Sequence, residues 1–384
     1  MEKLLIRGAR VYREGRFQRA DVLCDEGVIC ALGEQAGAAH ARTLEAQGLM
    51  LVPGFIDAHT HGCVGVDVNM GEADGLRRMA AFFASQGVTS FLASVLTDTP
   101  EQTEQCLAAV AKVMGEQTDG AQLLGAHLEG PFLSQEYKGA MPAHLLREGD
   151  VALLRGYQER YPGVIRYLTV SPEVPGVTEM IGQIAQELTV AIGHSGADYA
   201  CAMEAIRRGA RCVTHTFNAM RLFHQHEPGI MGAALESDCY CEAICDGRHL
   251  HPGAVRLLLK CKGFGRVMAV TDSIMATGLP DGKYKLGVND VTVIDGDAKL
   301  TATGVRAGST LTAAQALRNL TRFTGRPVED VLPLLTENPA SALRLQERKG
   351  RIALGMDADL TLLDEGLNVC ATIAGGRMVY AARE

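Results

Sequence analysis

The chain has 384 residues, 47% of them hydrophobic, enough for one large domain or two to three small ones, and no apolar run reaches the ~18 residues of a membrane span. Its 37 basic and 45 acidic residues leave a net charge of −8 with no basic run, which argues against a nucleic-acid or anionic-membrane surface. Eleven cysteines are an odd count in a long chain whose start lacks a signal-type apolar segment, so reduced thiols in a cytoplasmic protein are expected.

Residues 1–50 read as short strands at 3–6, 9–12, 20–24 and 27–32, with turn signals at Glu14-Gly15 and Glu26-Gly27. No helix is expected before residue 70. The next stretch, 51–62, carries an apolar strand opened by Pro53-Gly54 and closed by Gly62. Within it His59 and His61 are two apart, so on an extended strand both imidazoles leave the same face.

From there strand, loop and helix alternate. Strands are expected to start near 55, 88, 123, 164, 188, 212, 240 and 267. Helices are expected over 74–86, from the Thr99-Pro100 cap through 114, and at 177–187, 198–208 and 254–259. Cys239, Cys241 and Cys245 share one parity, which suits a buried apolar face rather than a metal cluster. Eight β/α units predict a parallel (β/α)8 barrel over 53–348; an open doubly wound sheet is the alternative, but no G-x-G-x-x-G follows an early strand. Beyond 280, hairpin strands are expected at 283–294 and 298–303, helices at 309–323 and 328–345, and short strands over 350–380. The two β-rich ends, 1–52 and 349–384, are expected to pair into one small discontinuous β-sandwich domain.

The barrel reading places catalysis at the C-terminal strand ends. His59, His61, Glu129, His194, His215 and Asp272 all follow expected strands. Four imidazoles and two carboxylates can hold one or two divalent metals, zinc or iron by donor type, with positions left open for water and substrate. His127 precedes Glu129 by two and shares its face, either as a group behind the ligands or as packing. Gly193-His194-Ser195-Gly196 is one residue short of a nucleophile elbow, and neither H-E-x-x-H nor a P-loop occurs.

These residues also carry a resemblance. Pro53-Gly54-Phe55-Ile56-Asp57-x-His59-x-His61-Gly62 resembles the opening signature of the amidohydrolase superfamily. His127-Leu128-Glu129-Gly130-Pro131-Phe132, Gly193-His194-Ser195, Thr214-His215-x-Phe217-Asn218-Ala219-Met220, Asp246-Gly247-x-His249 and Val270-Thr271-Asp272 are similar in order and spacing to its N-acetylglucosamine-6-phosphate deacetylase family. The similarity continues through Ala307-Gly308-Ser309-x-Leu311 and Asn338-Pro339-Ala340 to 350–363.

The resemblance implies hydrolysis of an N-acetyl amino-sugar phosphate in a cytoplasmic homodimer or tetramer. It implies that Glu129, His194 and His215 hold the main metal, and that His59 and His61 hold a second one with Glu129 bridging. Asp272 would be the general base and then the acid. His249 would meet substrate near the scissile amide, and the backbone of Asn218 and Ala219 would meet the phosphate. Two positions depart from the family. His226 stands where many members have an arginine that reaches a phosphate in the neighbouring subunit, and Met141 where members often have Gln or His against the sugar. Arg221, in the same loop as His226, is the expected compensating cation. Alternatives left open are another N-acyl amino sugar, such as N-acetylgalactosamine 6-phosphate, or an N-acyl amino acid. A non-catalytic scaffold would be expected to have lost ligands, and none is missing.

Overall fold

Eight parallel strands order the molecule: β1 (Phe55–Asp57), β2 (Val88–Leu96), β3 (Gln122–Glu129), β4 (Ile165–Val170), β5 (Thr189–Ile192), β6 (Cys212–Val213), β7 (Tyr240–Ile244) and β8 (Val267–Val270). The computed structural model describes residues 3–33, 40–116 and 119–382. Each barrel strand pairs with its sequence neighbour, from β1 through to β8. All nine residues of β2 are buried, as a parallel strand covered on both faces requires. The barrel closes between β8 and β1 through residues that bear on the chemistry. The Asp272 amide donates to the His59 carbonyl (2.9 Å) and the His61 amide to the Ser273 carbonyl (2.8 Å). The Thr271 hydroxyl donates to Asp57 (2.6 Å).

Around the strands lie α1 (Ala73–Ser85), α2 (Pro100–Val113), α3 (Val151–Arg160), α4 (Val177–Ile184), α5 (Tyr199–Arg207), α6 (Gly229–Glu236), α7 (Pro252–Lys262) and α8 (Ala313–Thr324). Two of these, α3 and α6, were not expected. In α6 the first six residues are all buried, so no 3.6-residue alternation marks it, and its two glycines read as breakers. Only Leu154 and Tyr157 of α3 are buried, too few for a stripe.

Helix α8 starts at Ala313 rather than 309. Ser309 is paired to the Asp272 carbonyl (2.7 Å), and the Thr312 side chain caps the first turn. The single helix expected over 328–345 is broken into Val328–Val331, a 3-10 turn and Glu337–Ala342, with Pro333 lacking the amide that a continuous helix would need.

Strands from both chain ends form one eight-stranded sheet with its own core, including Ile6, Val11, Ile29, Leu360 and Ile373. The segments expected at 3–6 and 9–12 are one strand, Leu4–Arg13, interrupted by a register shift at Gly8 (φ 77°). Glu14-Gly15 and Glu26-Gly27 each have two positive φ values, as tight hairpin turns require. Lys349 joins this sheet to the barrel: its Nζ meets Gln122 of β3 (2.9 Å), Asp357 (3.1 Å) and Asp359. A three-stranded hairpin unit, Gly282–Leu286, Asn289–Ile294 and Asp297–Leu300, packs its Leu286, Val291 and Val293 with Met141 and Ile274 beside the barrel mouth. Cys239, Cys241 and Cys245 are buried, and no cysteine joins a metal-type cluster among the described residues.

Candidate metal centre

Strand ends deliver the expected side chains to one place. The ligating atoms of His59, His61 and Glu129 all lie within 4.8 Å of one another, and so do those of Glu129, His194 and His215. Glu129 belongs to both groups. Its Oε1 is 3.2 Å from both His194 Nε2 and His215 Nε2, and its Oε2 is 3.1 Å from His61 Nε2. His59 Nε2 and His61 Nε2 are 3.2 Å apart, and His194 Nε2 and His215 Nε2 3.0 Å apart. Asp272 Oδ1 completes the cluster, 3.3 Å from His61 Nε2.

The outward partners of the imidazoles decide what the cluster can hold. His61 Nδ1 lies 3.1 Å from the Ser94 carbonyl and His194 Nδ1 2.9 Å from the Tyr137 carbonyl. Carbonyls only accept, so each Nδ1 carries the proton and each Nε2 presents a lone pair. His59 Nδ1 likewise donates to the Glu242 carboxylate (2.9 Å). With these imidazoles neutral, three lone pairs and two carboxylates face one another, and the arrangement calls for positive charge between them. A cation resolves that arrangement, and the spacings match the roughly 3.4 Å between ligands of a tetrahedral ion with bonds near 2.1 Å. The donor set therefore fits a divalent metal.

Charge balance points the same way. Burial works against a charged His61, but hydrogen bonds and attraction from Asp272 and Glu129 overcome it and raise its pKa to about 9. Burial likewise opposes ionisation of Glu129, yet positive charge at His59 and the other imidazoles around it hold its pKa well below the usual range. The carboxylates thus draw positive charge into the cluster.

Local backbone aims these groups. His194, His215 and Asp272 have φ of 47°, 26° and 48°, left-handed values that are uncommon for side-chain-bearing residues and typical of functional strand ends. Gly130, directly after Glu129, has φ 91°, and a Cβ there would come within 2.2 Å of Thr97 Oγ1.

A cavity of about 340 Å³ opens over the cluster, lined by His61, Glu129, His194, His215 and Asp272 together with His249, Asn218, Ala219 and Met141. His249 is held by Asp246, which accepts from its Nδ1 (2.7 Å). The Asn218 amide turns back onto the His215 carbonyl (3.0 Å). Met141 is 1% exposed and packs in the hairpin core as well as lining the cavity. His226 and Arg221 do not line it. They border a separate surface cavity, where Arg221 pairs with Glu227 beside exposed Leu222 and Phe223.

His127 lies behind the cluster, its nitrogens on Ser94 Oγ (2.9 Å) and Thr169 Oγ1 (2.8 Å) and its ring against His59. Sequence reasoning missed Glu242, which is fully buried on β7. Its Oε2 accepts from His59 Nδ1 and from the His215 amide (2.9 Å each), and its Oε1 accepts from the Tyr167 hydroxyl (2.6 Å). The available signal was a lone carboxylate inside the apolar strand Tyr-Cys-Glu-Ala-Ile. Asp57, within the Pro53–Gly62 motif, is buried at the barrel seam, where burial pushes its carboxyl up to about 6 against the Thr271 and His59 hydrogen bonds.

Comparison with known proteins agrees with this geometry. Residues 50–379 match the model of the Amidohydrolase family. An N-acetylglucosamine-6-phosphate deacetylase of Vibrio furnissii is 35% identical over 98% of this chain and 95% of its own length. The crystal structure of the N-acetylglucosamine-6-phosphate deacetylase of Pasteurella multocida superposes with a TM-score of 0.93 at 28% identity, covering 99% of this chain and 100% of that one. A mutant of the Mycobacterium smegmatis enzyme, solved in complex with N-acetyl-D-glucosamine-6-phosphate, gives a TM-score of 0.91 at 32% identity, with the same coverage. On this similarity, and on a donor cluster at the strand ends of its barrel, the chain belongs to the amidohydrolase family, in the group of the N-acetylglucosamine-6-phosphate deacetylases.

Proposed function

We propose that the protein hydrolyses the acetamide of N-acetylglucosamine 6-phosphate, releasing acetate and glucosamine 6-phosphate. The observation that carries this reading is the doubled donor cluster sharing Glu129 beneath a cavity with Asp272 at its edge. Glu129, His194 and His215 would hold one divalent ion, and His59 and His61 a second with Glu129 between them; imidazole-rich donors suit zinc or iron. Such an ion supplies electrophilic polarisation of the amide carbonyl and acidifies water.

The chain's own groups do the rest. Asp272 accepts a proton from the attacking water as the new C–O bond forms, then returns it to the nitrogen as the C–N bond breaks. That accounts for the water: its oxygen and one proton leave in acetic acid, which ionises to acetate at neutral pH, and its other proton leaves on the amine. His249, with Nδ1 committed to Asp246, presents Nε2 to the substrate. The Ala219 backbone and the Asn218 side of the loop face the sugar-phosphate end.

His226 and Arg221, outside this cavity, would reach a substrate only from a second copy of the chain. The exposed Leu222 and Phe223 beside them suit a homodimer or tetramer contact. No helix among the described residues is long and apolar enough to cross a membrane. The eleven unpaired cysteines support a cytoplasmic setting for the reaction. The test is turnover of N-acetylglucosamine with and without a 6-phosphate, following amine release, before and after chelation. Chelation should abolish turnover and zinc or iron(II) restore it; a chelated protein of undiminished rate refutes the metal reading.

A further inference from the structure

The end of the barrel opposite the metal cluster carries a second set of charged groups. Arg211 precedes β6, Tyr240 opens β7 and Arg266 precedes β8, so all three stand at strand starts rather than strand ends. Their backbone is part of the sheet. The Tyr240 amide donates to the Arg211 carbonyl (2.9 Å) and the Cys241 amide to the Arg266 carbonyl (2.8 Å). Arg344, just beyond the short helix Glu337–Ala342, joins them, and the three arginines line one cavity of about 330 Å³.

These guanidiniums are placed but not neutralised. Arg344 donates to the carbonyls of Gln186 (2.7 Å) and Ala185, at the end of α4. Arg211 Nη2 donates to the Ser341 carbonyl (3.1 Å). Arg266 Nη1 meets the Tyr240 hydroxyl (2.9 Å), with its guanidinium 4.9 Å from the centre of that ring. Each guanidinium has five N–H groups, so most of them remain unused. Arg211 Nε is buried without a hydrogen-bond partner among the described residues, a state that native proteins rarely leave unfilled. No carboxylate among the described residues pairs with any of the three, and Asp238, the acid that lines the cavity, is itself exposed. Burial, and then the charge of Arg211, lower the pKa of Arg344, as expected for cations crowded without a counter-ion.

We propose that this cavity binds a small phosphate dianion, free or carried by a low-molecular-weight ester, on the face of the barrel away from the metal cluster. Three planar forks around one recess suit a tetrahedral oxyanion, whose oxygens would take the unused N–H groups and the orphaned Nε. The chain's net charge of −8 gives no general attraction for anions, so the affinity has to come from this local grouping. The inference does not depend on the deacetylase reading. The competing explanation is structural: Arg344 and Arg211 cap carbonyls at helix ends, and no anion is needed.

Isothermal titration of the metal-loaded protein with inorganic phosphate, at an ionic strength fixed by chloride, separates the two. Arg266→Gln is the main probe, because that side chain makes a single hydrogen bond and lies outside the cavity over the metal cluster. Arg344→Gln, at an exposed position, is an independent second probe with the same expectation. Phosphate taken up at the metal cluster is common to all variants. The wild type should bind one more phosphate per chain than either variant, or bind one of them at least about tenfold tighter, the scale of a lost charged hydrogen bond. Arg266→Lys should recover part of the loss, and Asp238→Asn, which removes the cavity's carboxylate, should tighten binding. Glycerol 3-phosphate in place of inorganic phosphate distinguishes the sources: a tighter ester marks a phosphorylated metabolite, a tighter ion free phosphate. Both glutamine variants matching the wild type in stoichiometry, and within twofold in affinity, would overturn the proposal. So would a wild type that takes up neither phosphate nor ester.

Discussion

Replacing Glu242 with glutamine keeps the shape of a fully buried side chain while removing its charge. With its carbonyl in the place of Oε2, the amide still accepts from His59 Nδ1 and the His215 amide, both 2.9 Å away in the native arrangement. Its NH2 then faces the Tyr167 hydroxyl, which turns from donor to acceptor. Two hydrogen bonds pass from charge-assisted, at about 1.5–3 kcal/mol, to neutral, at about 0.5–1.5, a difference of roughly 1 kcal/mol each. The imidazole of His59 becomes the weaker donor. Metal affinity at the His59–His61–Glu129 position should therefore fall by about ten- to a hundredfold. The His194–His215 position, which Glu242 touches only through a backbone amide, should change less. Titrating zinc into the apo-protein against a competing chelator reads both affinities. An affinity at the His59–His61–Glu129 position within twofold of wild type would refute the reasoning, because the carboxylate behind His59 would then contribute nothing. Glu242→Ala is the harsher case: it strands three buried donors and should cost several kcal/mol of folding stability, at roughly 1–3 each.

Asp272→Asn should retain metal, as measured by elemental analysis, yet lower kcat at least ~100-fold; near-native turnover would remove its proton-carrying role. His59→Asn combined with His61→Gln should reduce bound metal by about one ion per chain while residual activity persists through Glu129, His194 and His215, and an unchanged stoichiometry would exclude these histidines as ligands. Lys349→Met would leave the carboxylate of Asp359, 7% exposed, without its cation at the junction of terminal sheet and barrel. A loss of about 3–5 kcal/mol in a urea melt is expected, and a loss under 1 would mean that Arg348 and water replace the lysine.

The sequence by itself determined the barrel and which donor side chains gather at its strand ends. A repeating apolar run, loop and amphipathic stretch is a local pattern, and the side chain that follows each run lands at the strand end whatever the rest of the fold does. His59, His61, Glu129, His194, His215 and Asp272 were legible for that reason, and the Glu-Gly hairpin turns for the same one. Helix α6 was not, because an element buried on all sides carries no periodicity. Only the tertiary structure decided which distant groups meet. Glu242 reaches His59 across 183 residues of sequence, and Thr60 meets Ser273 across 213 where the barrel closes. Arg306 enters the cavity while Arg221 and His226 stay outside it, because a hairpin with its own small core folds back over the mouth of the barrel. Such contacts are set by the closure and twist of the whole sheet, and no local spacing encodes them.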